Sequence, residues 1–181
     1  MSPFKAAALV MFVGMISGTS LAQLSPTFYD QTCPNLSTIV RDVVTQAQAG
    51  DVRAGAKLIR FHFHDCFVNG CDGSVLLENA DGIESELDAP GNQGIQGFEI
   101  VDNIKAAVEA ACPATVSCAD VLAIASRESA VLTGGPSWEV QLGRRDSRTA
   151  NRSGATNGLP SPFETLPELQ VKFAAVGLDS T

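Results

Sequence analysis

Arg60 and His64 are the residues whose types and spacing point most directly to chemistry. They lie in the run Arg60-Phe61-His62-Phe63-His64-Asp65-Cys66. If this run is helical, the two side chains lie one turn apart on a single face. That face would hold a permanent cation beside the side chain that most readily exchanges protons near neutral pH. Such a pair suits a reaction in which one atom loses a proton while its neighbour gains negative charge, although it is also compatible with a polar pair packed among apolar neighbours.

A cluster of oxygen donors directly follows the histidine. The donors and the glycines between them are Asp65, Gly70, Asp72, Gly73 and Ser74, with Glu86 further along. Calcium takes about six to eight oxygen ligands, including backbone carbonyls. The cluster is not an EF-hand loop, because the third and twelfth positions counted from Asp65 are Phe67 and Leu76. The pattern therefore indicates either a calcium site of another kind or a polar surface loop.

Two other uses of this region follow from its residue types. His62 and His64 could bind a transition metal together, but alternate residues share a face only on a strand. Cys66 could be a thiol nucleophile, but an oxidising compartment favours a disulfide instead. We expect neither use.

The first 22 residues have the pattern of a secretory signal peptide. Lys5 precedes a short apolar run from residue 6 to 16, and Ser20-Leu21-Ala22 resembles a cleavage site. The run is too short to cross a bilayer. The predicted mature chain begins at Gln23 and is exported. The net charge of −8 makes nucleic acid and anionic membrane surfaces unsuitable partners.

Export also governs how the five cysteines and two glycosylation sequons are interpreted. The cysteines are Cys33, Cys66, Cys71, Cys112 and Cys118. Disulfides are expected in that compartment, but spacing does not choose among the possible pairings, and one thiol remains over. The sequons Asn35-Leu36-Ser37 and Asn151-Arg152-Ser153 would mark surface positions.

Hydrophobic periodicity predicts helices joined by irregular loops, and therefore an all-α fold. We expect helices over 36–50, from Asp51 through His64, over 98–111, from Ser117 to about Leu132, and from Thr165 to Gly177. Residues 66–96 and 151–162 are predicted to be loops, and 138–145 alternates weakly. Ser117 with Asp120, and Thr165 with Glu168, have the spacing of helix-start signals.

Several ordered motifs resemble those of the secreted plant haem peroxidases, also called class III peroxidases. The motifs are Arg60-Phe61-His62-Phe63-His64-Asp65-Cys66, Gly70-Cys71-Asp72-Gly73-Ser74, Val116-Ser117-Cys118-Ala119-Asp120, Leu142-Gly143-Arg144-Arg145-Asp146 and Leu159-Pro160. The resemblance implies a helical haem-peroxidase fold. It also implies reduction of hydrogen peroxide with oxidation of small phenolic donors, by a monomer that is secreted and extracellular, with the cell wall and the vacuole as possible locations.

The resemblance also implies roles for individual residues. His64 would be the distal acid–base, Arg60 would stabilise developing negative charge, and Asn92 would orient the histidine ring. Phe63 would flank the haem b cofactor, and Pro160 would contact aromatic donors. The implied calcium ligands are Asp65, Val68, Gly70, Asp72, Ser74 and Glu86. The implied disulfides are Cys33–Cys112 and Cys66–Cys71, and Cys118 would pair with a cysteine further along the family's chain.

The family binds haem iron through a further histidine in a later helix, and this sequence has two histidines, both in the distal motif. We therefore expect residues 23–181 to form the distal domain alone, without the proximal part. The alternatives are a catalytically inactive calcium-binding product and a metal protein that uses His62 and His64. On this basis the 181-residue chain is expected to bind haem weakly and turn over slowly.

Overall fold

The computed structural model describes residues 23–179, and helices dominate it. The helices are α1 (Leu36–Gly50), α2 (Ala54–Cys66), α3 (Phe98–Ala111), α4 (Cys118–Leu132), α5 (Arg152–Gly158) and α6 (Leu166–Ala175). Three single 3₁₀ turns lie between α2 and α3, at Ser74–Leu76, Glu86–Asp88 and Pro90–Asn92. Within the described residues, β structure is limited to two isolated bridges. The predicted all-α class is confirmed.

Helix α4 forms the centre of the core. Helices α1 and α2 both pack against it, and α3 packs against α1. Its buried apolar residues include Ala119, Val121, Leu122, Ile124 and Ala125. Ten of the fifteen residues of α4 are buried, so most of its sides face the interior. Burial of each large side chain, such as Leu122, contributes about 1.5–3 kcal/mol. Helix α1 presents a narrower stripe of Leu36, Val40 and Val44 to the same core.

A buried carboxylate on α4 joins three segments of the chain. Asp120 Oδ2 accepts hydrogen bonds from the Tyr29 hydroxyl at 2.8 Å and from the Gly143 amide at 2.7 Å, and Oδ1 accepts one from Arg144 Nη1 at 2.9 Å. Burial and the neighbouring carboxylate raise the pKa of Tyr29 to about 12, so its hydroxyl remains a donor. The N-terminal segment and the segment after α4 are thereby held to the central helix.

Two covalent links reinforce this arrangement. Cys33 is bonded to Cys112, which ties the segment before α1 to the end of α3, and Cys66 is bonded to Cys71. Cys118 carries a free thiol. This pairing is the one that the family resemblance implied. Near the N-terminal segment, Ser25 and Leu142 also exchange both backbone hydrogen bonds, at 2.9 and 3.1 Å.

Most predicted helix boundaries are confirmed. Helices α1 and α3 span the predicted ranges. The Ser117 hydroxyl accepts a hydrogen bond from the Asp120 amide, as the start signal of α4 required. Thr165 and Glu168 form a capping box at α6, which ends at Ala175, two residues before the predicted Gly177. The predicted signal peptide lies outside the described residues.

The prediction of a continuous loop over 151–162 is wrong, because α5 occupies Arg152–Gly158. Its two glycines and Asn157 disfavour a helix on propensity. The helix is stabilised instead by its surroundings. The Asn151 side chain caps its first turn, and Ala155 packs with Leu159 against Phe67. The cap is a local contact, whereas the packing against Phe67 involves a distant part of the chain and leaves no periodic signal.

Helix α6 differs from the others because none of its residues is buried. Exposed apolar side chains on and before it include Phe163, Leu166 and Val171. Lys172 fixes the helix to the preceding segment through the Leu159 carbonyl at 2.7 Å. None of the helices in the described part of the chain is long and apolar enough to cross a bilayer.

Replacement of Asp120 by alanine should lower the free energy of unfolding by about 3–5 kcal/mol, because several buried donors lose their acceptor together. Urea denaturation followed by circular dichroism measures this change. The control is Asp102→Ala, which removes an exposed carboxylate of α3 and should cost no more than about 0.5 kcal/mol. Equal midpoints and slopes for the two variants would contradict the role given to Asp120.

Candidate active site

Helix α2 places Arg60 and His64 together, as their spacing predicted. Arg60 Nε donates to His64 Nε2 at 3.2 Å, and Arg60 Nη2 donates to the Gly91 carbonyl at 3.3 Å. His64 is buried, whereas the longer Arg60 side chain reaches solvent. The base and the cation are therefore fixed next to each other at the edge of an open space.

Asn92 determines which nitrogen of His64 carries the proton. Its Oδ1 lies 2.5 Å from His64 Nδ1, and its Nδ2 donates to the Glu86 carbonyl at 2.8 Å. Because Nδ2 already faces an acceptor, Oδ1 must face the ring, and Nδ1 must be the donor. The neutral ring then has its lone pair on Nε2, beside Arg60. Asn92 is almost fully buried, so water does not compete for this bond.

The surroundings of His64 favour its neutral form. Burial lowers its pKa most, and the positive charge of Arg60 acts in the same direction, while the bond to Asn92 opposes them. The pKa of His64 therefore lies below its ordinary value. At neutral pH the ring is poised to accept a proton at Nε2.

A cleft of about 470 Å³ opens beside this pair. Its wall is formed by α2, the turn at Pro90–Asn92, and the segment that follows α5. The lining includes Arg60, His64, Gly91, Gln93, Leu159 and Pro160. Pro160, which the resemblance placed near donors, thus lies at the same cleft as the acid–base pair. A space of this size suits a small molecule.

Phe63, which the resemblance placed beside the haem, lies outside the cleft next to Arg60 and His64. Its ring packs against Phe67 at a centroid distance of 4.4 Å and against Phe173 of α6 at 6.4 Å. It also meets the edge of the His64 ring at 5.2 Å. Phe63 therefore packs against the His64 ring and is not among the residues that line the cleft.

The predicted oxygen donors converge on one buried place, which we call the oxygen cradle (Asp65, Asp72, Ser74 and Glu86). Asp65 Oδ2 accepts from the Gly73 amide at 3.0 Å, and Asp72 Oδ1 accepts from the Ser74 amide at 3.1 Å. Glu86 Oε1 accepts from the Asn151 amide at 2.9 Å. The loop after α2 therefore folds back so that Asp72 and Glu86 both act electrostatically on the Asp65 carboxyl.

Two oxygens of the cradle lack a hydrogen bond of normal geometry although they are buried, namely Ser74 Oγ and Glu86 Oε2. Asp65 and Glu86 are fully buried, with no cationic side chain among the causes of their pKa shifts. Burial, together with Asp72 and Glu86, raises the pKa of Asp65 to about 7. Burial also raises the pKa of Glu86. Buried carboxylates and orphaned oxygens of this kind are what a bound cation would satisfy.

The loop reaches the cradle through a short covalent ring. The disulfide between Cys66 and Cys71 closes it, and Gly70 has a φ of 88°, a left-handed conformation that favours glycine. Val68, the other predicted carbonyl ligand, is half-buried within the ring. Because both sulfurs are in the disulfide, neither is available as a thiolate nucleophile or metal ligand.

His62 and His64 do not share a site. The His62 ring lies against Cys66 Sγ, with Nδ1 at 3.5 Å, whereas His64 faces Asn92. Burial lowers the pKa of His62 to about 4, with a smaller contribution from Arg144. On a helix, residues two apart point to different sides, and this geometry argues against a metal bound by the two imidazoles.

Sequence reasoning missed three groups that hold these residues in place. The Gly91 carbonyl anchors Arg60, the Glu86 carbonyl orients Asn92, and the Asn151 amide holds Glu86. All three are backbone groups. Almost every residue has a backbone amide and a carbonyl, so the sequence does not indicate which of them will bind a given side chain.

Comparison with known proteins agrees with this geometry. The family model described as peroxidase matches residues 40–181. Peroxidase 2 of Cucumis sativus is 69% identical over 155 residues, which cover 86% of this chain and 53% of the relative. Lignin-forming anionic peroxidase of Nicotiana tabacum is 58% identical over 181 residues, covering 100% of this chain and 56% of the relative. Peroxidase 15 of Ipomoea batatas is 59% identical over 180 residues, covering 98% of this chain and 54% of the relative.

The chain belongs to the peroxidase family, and these relatives are plant class III peroxidases. It spans about half of the length of the relatives that it matches. The family assignment that the motifs implied is confirmed.

The raised pKa of Asp65 predicts a pH-dependent stability in chelator. The pKa is about 7 in the folded chain, against an ordinary 3.8, so between these values the folded chain binds more protons and loses stability as pH rises. The lowered pKa values of His62 and His64 act in the opposite sense. We therefore expect the melting temperature of wild type minus that of Asp65→Asn to fall by several degrees between about pH 5 and pH 8.

Differential scanning fluorimetry across this pH range measures that difference. The exposed-site variant Asp102→Asn serves as the control, and its offset from wild type should be the same at every pH. An offset for Asp65→Asn that is equally independent of pH would show that the Asp65 carboxyl titrates normally in the folded chain.

Proposed function

We propose that residues 23–181 form the peroxide-binding domain of a secreted haem peroxidase, which reduces hydrogen peroxide and oxidises small phenolic donors. One observation carries the proposal. The His64 ring is held by Asn92 with its lone pair on Nε2, which accepts a hydrogen bond from the Arg60 guanidinium. The two disulfides support an oxidising, extracellular location.

The proposed mechanism uses His64 as a proton carrier. Hydrogen peroxide enters the cleft, and His64 Nε2 takes the proton from one oxygen. The ring then delivers this proton to the other oxygen, which leaves as water. Arg60 stabilises the negative charge that develops between the two oxygens as their bond breaks. Asn92 keeps the ring oriented, because its Oδ1 accepts from Nδ1 throughout.

Haem, when bound, would supply redox-active iron and the two electrons with which the peroxide bond is reduced. The cleft beside Arg60 and His64 fits the peroxide-binding side of such a group. Neither histidine is placed to ligate iron, because His64 is engaged with Asn92 and His62 lies against the disulfide. We assign no iron ligand within this chain.

The proposed metal of the oxygen cradle is calcium. All the side-chain donors are oxygens, as this ion prefers, and the buried Ser74 Oγ and Glu86 Oε2 lack other partners. The Val68 and Gly70 carbonyls complete the proposed ligand set, and Glu86 contributes through a water. Because Asp65 directly follows His64 on α2, the bound ion would fix the end of the catalytic helix.

Aromatic donors are proposed to reach the outer part of the cleft. Pro160 lies there with Ser161 and the exposed Phe163. A phenol could pack against these side chains while its hydroxyl points towards Arg60. The open mouth suits small donors of varied shape.

A calcium-binding domain without catalytic activity is the second candidate. The oxygen cradle favours it, because all the proposed calcium ligands lie within this chain. The two imidazoles, by contrast, contact Asn92 and Cys66 and are not placed to bind haem iron. Refolding with haem and calcium separates the two candidates. An absorption band of protein-bound haem, with guaiacol oxidation above that of free haem, supports the peroxidase; calcium binding without either supports the second candidate.

His64→Ala should slow peroxide reduction by at least about 10²–10⁴-fold, because the proton carrier is lost. The variant is made in a chimera in which residues 23–181 are followed by the corresponding C-terminal part of the Cucumis sativus relative. Stopped-flow mixing with hydrogen peroxide gives the rate. His62→Ala is the matched control and should remain within a few-fold of the parent. A His64→Ala rate as high as that of the control would refute the acid–base role.

Calcium should raise the melting temperature of the chain, since a ligand at about 100 times its Kd stabilises the folded state by about 2.7 kcal/mol. Asp72→Ala should abolish most of this rise by removing a cradle carboxylate. Asp81→Ala removes an exposed carboxylate of the same loop and should leave the rise intact. Superimposable melting curves in calcium and in chelator for the wild-type chain would exclude the calcium proposal.

A further inference from the structure

The two glycosylation sequons have acceptor amides in very different surroundings. Asn35-Leu36-Ser37 lies at the start of α1, and Asn151-Arg152-Ser153 lies at the start of α5. We infer that, of these two, only Asn35 carries an N-linked oligosaccharide in the folded protein. The fold uses the Asn151 amide for other purposes.

Asn35 is available for modification. It is exposed and occupies the N-cap position of α1, but its side chain makes no capping hydrogen bond. Ser37, which the transferring enzyme must also recognise, is exposed as well. In the transfer, Asn35 Nδ2 forms a bond to the first sugar and loses a proton, while the bond from that sugar to its lipid-diphosphate carrier breaks.

The Asn151 side chain is engaged on both of its polar atoms. Its Oδ1 accepts from the Gly154 amide at 2.8 Å and from the Ser153 hydroxyl at 3.1 Å. Its Nδ2 donates to Asn69 Oδ1 at 2.9 Å. The same nitrogen lies so close to Gly154 that a Cβ atom added there would come within 2.5 Å of it. A sugar on Nδ2 would therefore compete with Asn69 and Gly154 for space.

Displacement of Asn151 would also disturb its surroundings. Its backbone amide donates to Glu86 Oε1 at 2.9 Å, so the start of α5 is attached to the oxygen cradle. Ala155 and Leu159, which follow it, are buried against Phe67. An oligosaccharide at Asn151 would thus oppose both the helix cap and the packing of α5. Molecules modified there would fold less well and be depleted from the exported population.

The direct test is to express the full chain through a plant secretory host and map the exported protein. Peptide-N-glycosidase in heavy-oxygen water converts each glycosylated asparagine to labelled aspartate. The expected result is label at Asn35 and none at Asn151. Label at Asn151 in most exported molecules would overturn the inference. Asn35→Gln should remove the oligosaccharide entirely, whereas Ser153→Ala, which destroys the second sequon, should leave the glycan mass unchanged.

A second test does not depend on export. A soluble N-glucosyltransferase, which attaches one glucose to the same sequon, is applied to the purified chain before and after reduction and unfolding. Asn35 should be modified at similar rates in both states. Asn151 should react at least about tenfold more slowly in the folded chain, because the reaction requires local opening. Equal rates at Asn151 in the two states would overturn the inference. Neither test uses peroxidase activity as its readout.

Discussion

The closure of α2 onto the loop that follows it is the constraint on which the site depends. Asp65, in the last turn of the helix, accepts a hydrogen bond from the Gly73 amide. The adjacent Cys66–Cys71 disulfide holds the following loop close to the end of the helix. The loop then continues to Glu86 and Asn92. The Asn92 side chain contacts His64, the residue before Asp65. His64 of the candidate active site and Asp65 of the oxygen cradle are therefore adjacent residues at the same end of α2.

Among the described residues, buried acidic side chains have two kinds of surroundings. Asp120 and Glu128 on α4 are each paired with arginine, at 2.9 Å from Arg144 and 2.8 Å from Arg41. Asp65, by contrast, is surrounded by amides and other carboxylates. A carboxylate without a cation is costly to bury. The first kind holds α4 to other segments of the chain, whereas the second is the basis of the calcium proposal.

The sequence predicted the features that depend on side-chain identity, such as the Arg60/His64 face and the capping box at Thr165. It could not predict α5, whose stability comes from the Asn151 cap and the burial of Ala155. Nor could it predict that the Glu86 carbonyl selects the rotamer of Asn92. The packing of Ala155 against Phe67 joins residues far apart in sequence. The contact between Asn92 and the Glu86 carbonyl involves a backbone atom that residue identity does not mark. The disulfide pairing came from the family motifs, not from spacing.

The two disulfides divide the molecule into parts that can fail separately. The Cys33–Cys112 link spans 79 residues and restricts the unfolded chain strongly, by about 4–5 kcal/mol in the chain-entropy model. The Cys66–Cys71 link spans only 5 residues and restricts it less, by about 2 kcal/mol. Mild reducing conditions that open the smaller ring would thus leave the helical core assembled. The protein would remain folded by every global measure and yet lose the alignment of Arg60 and His64, which under the proposed function would be a silent inactivation.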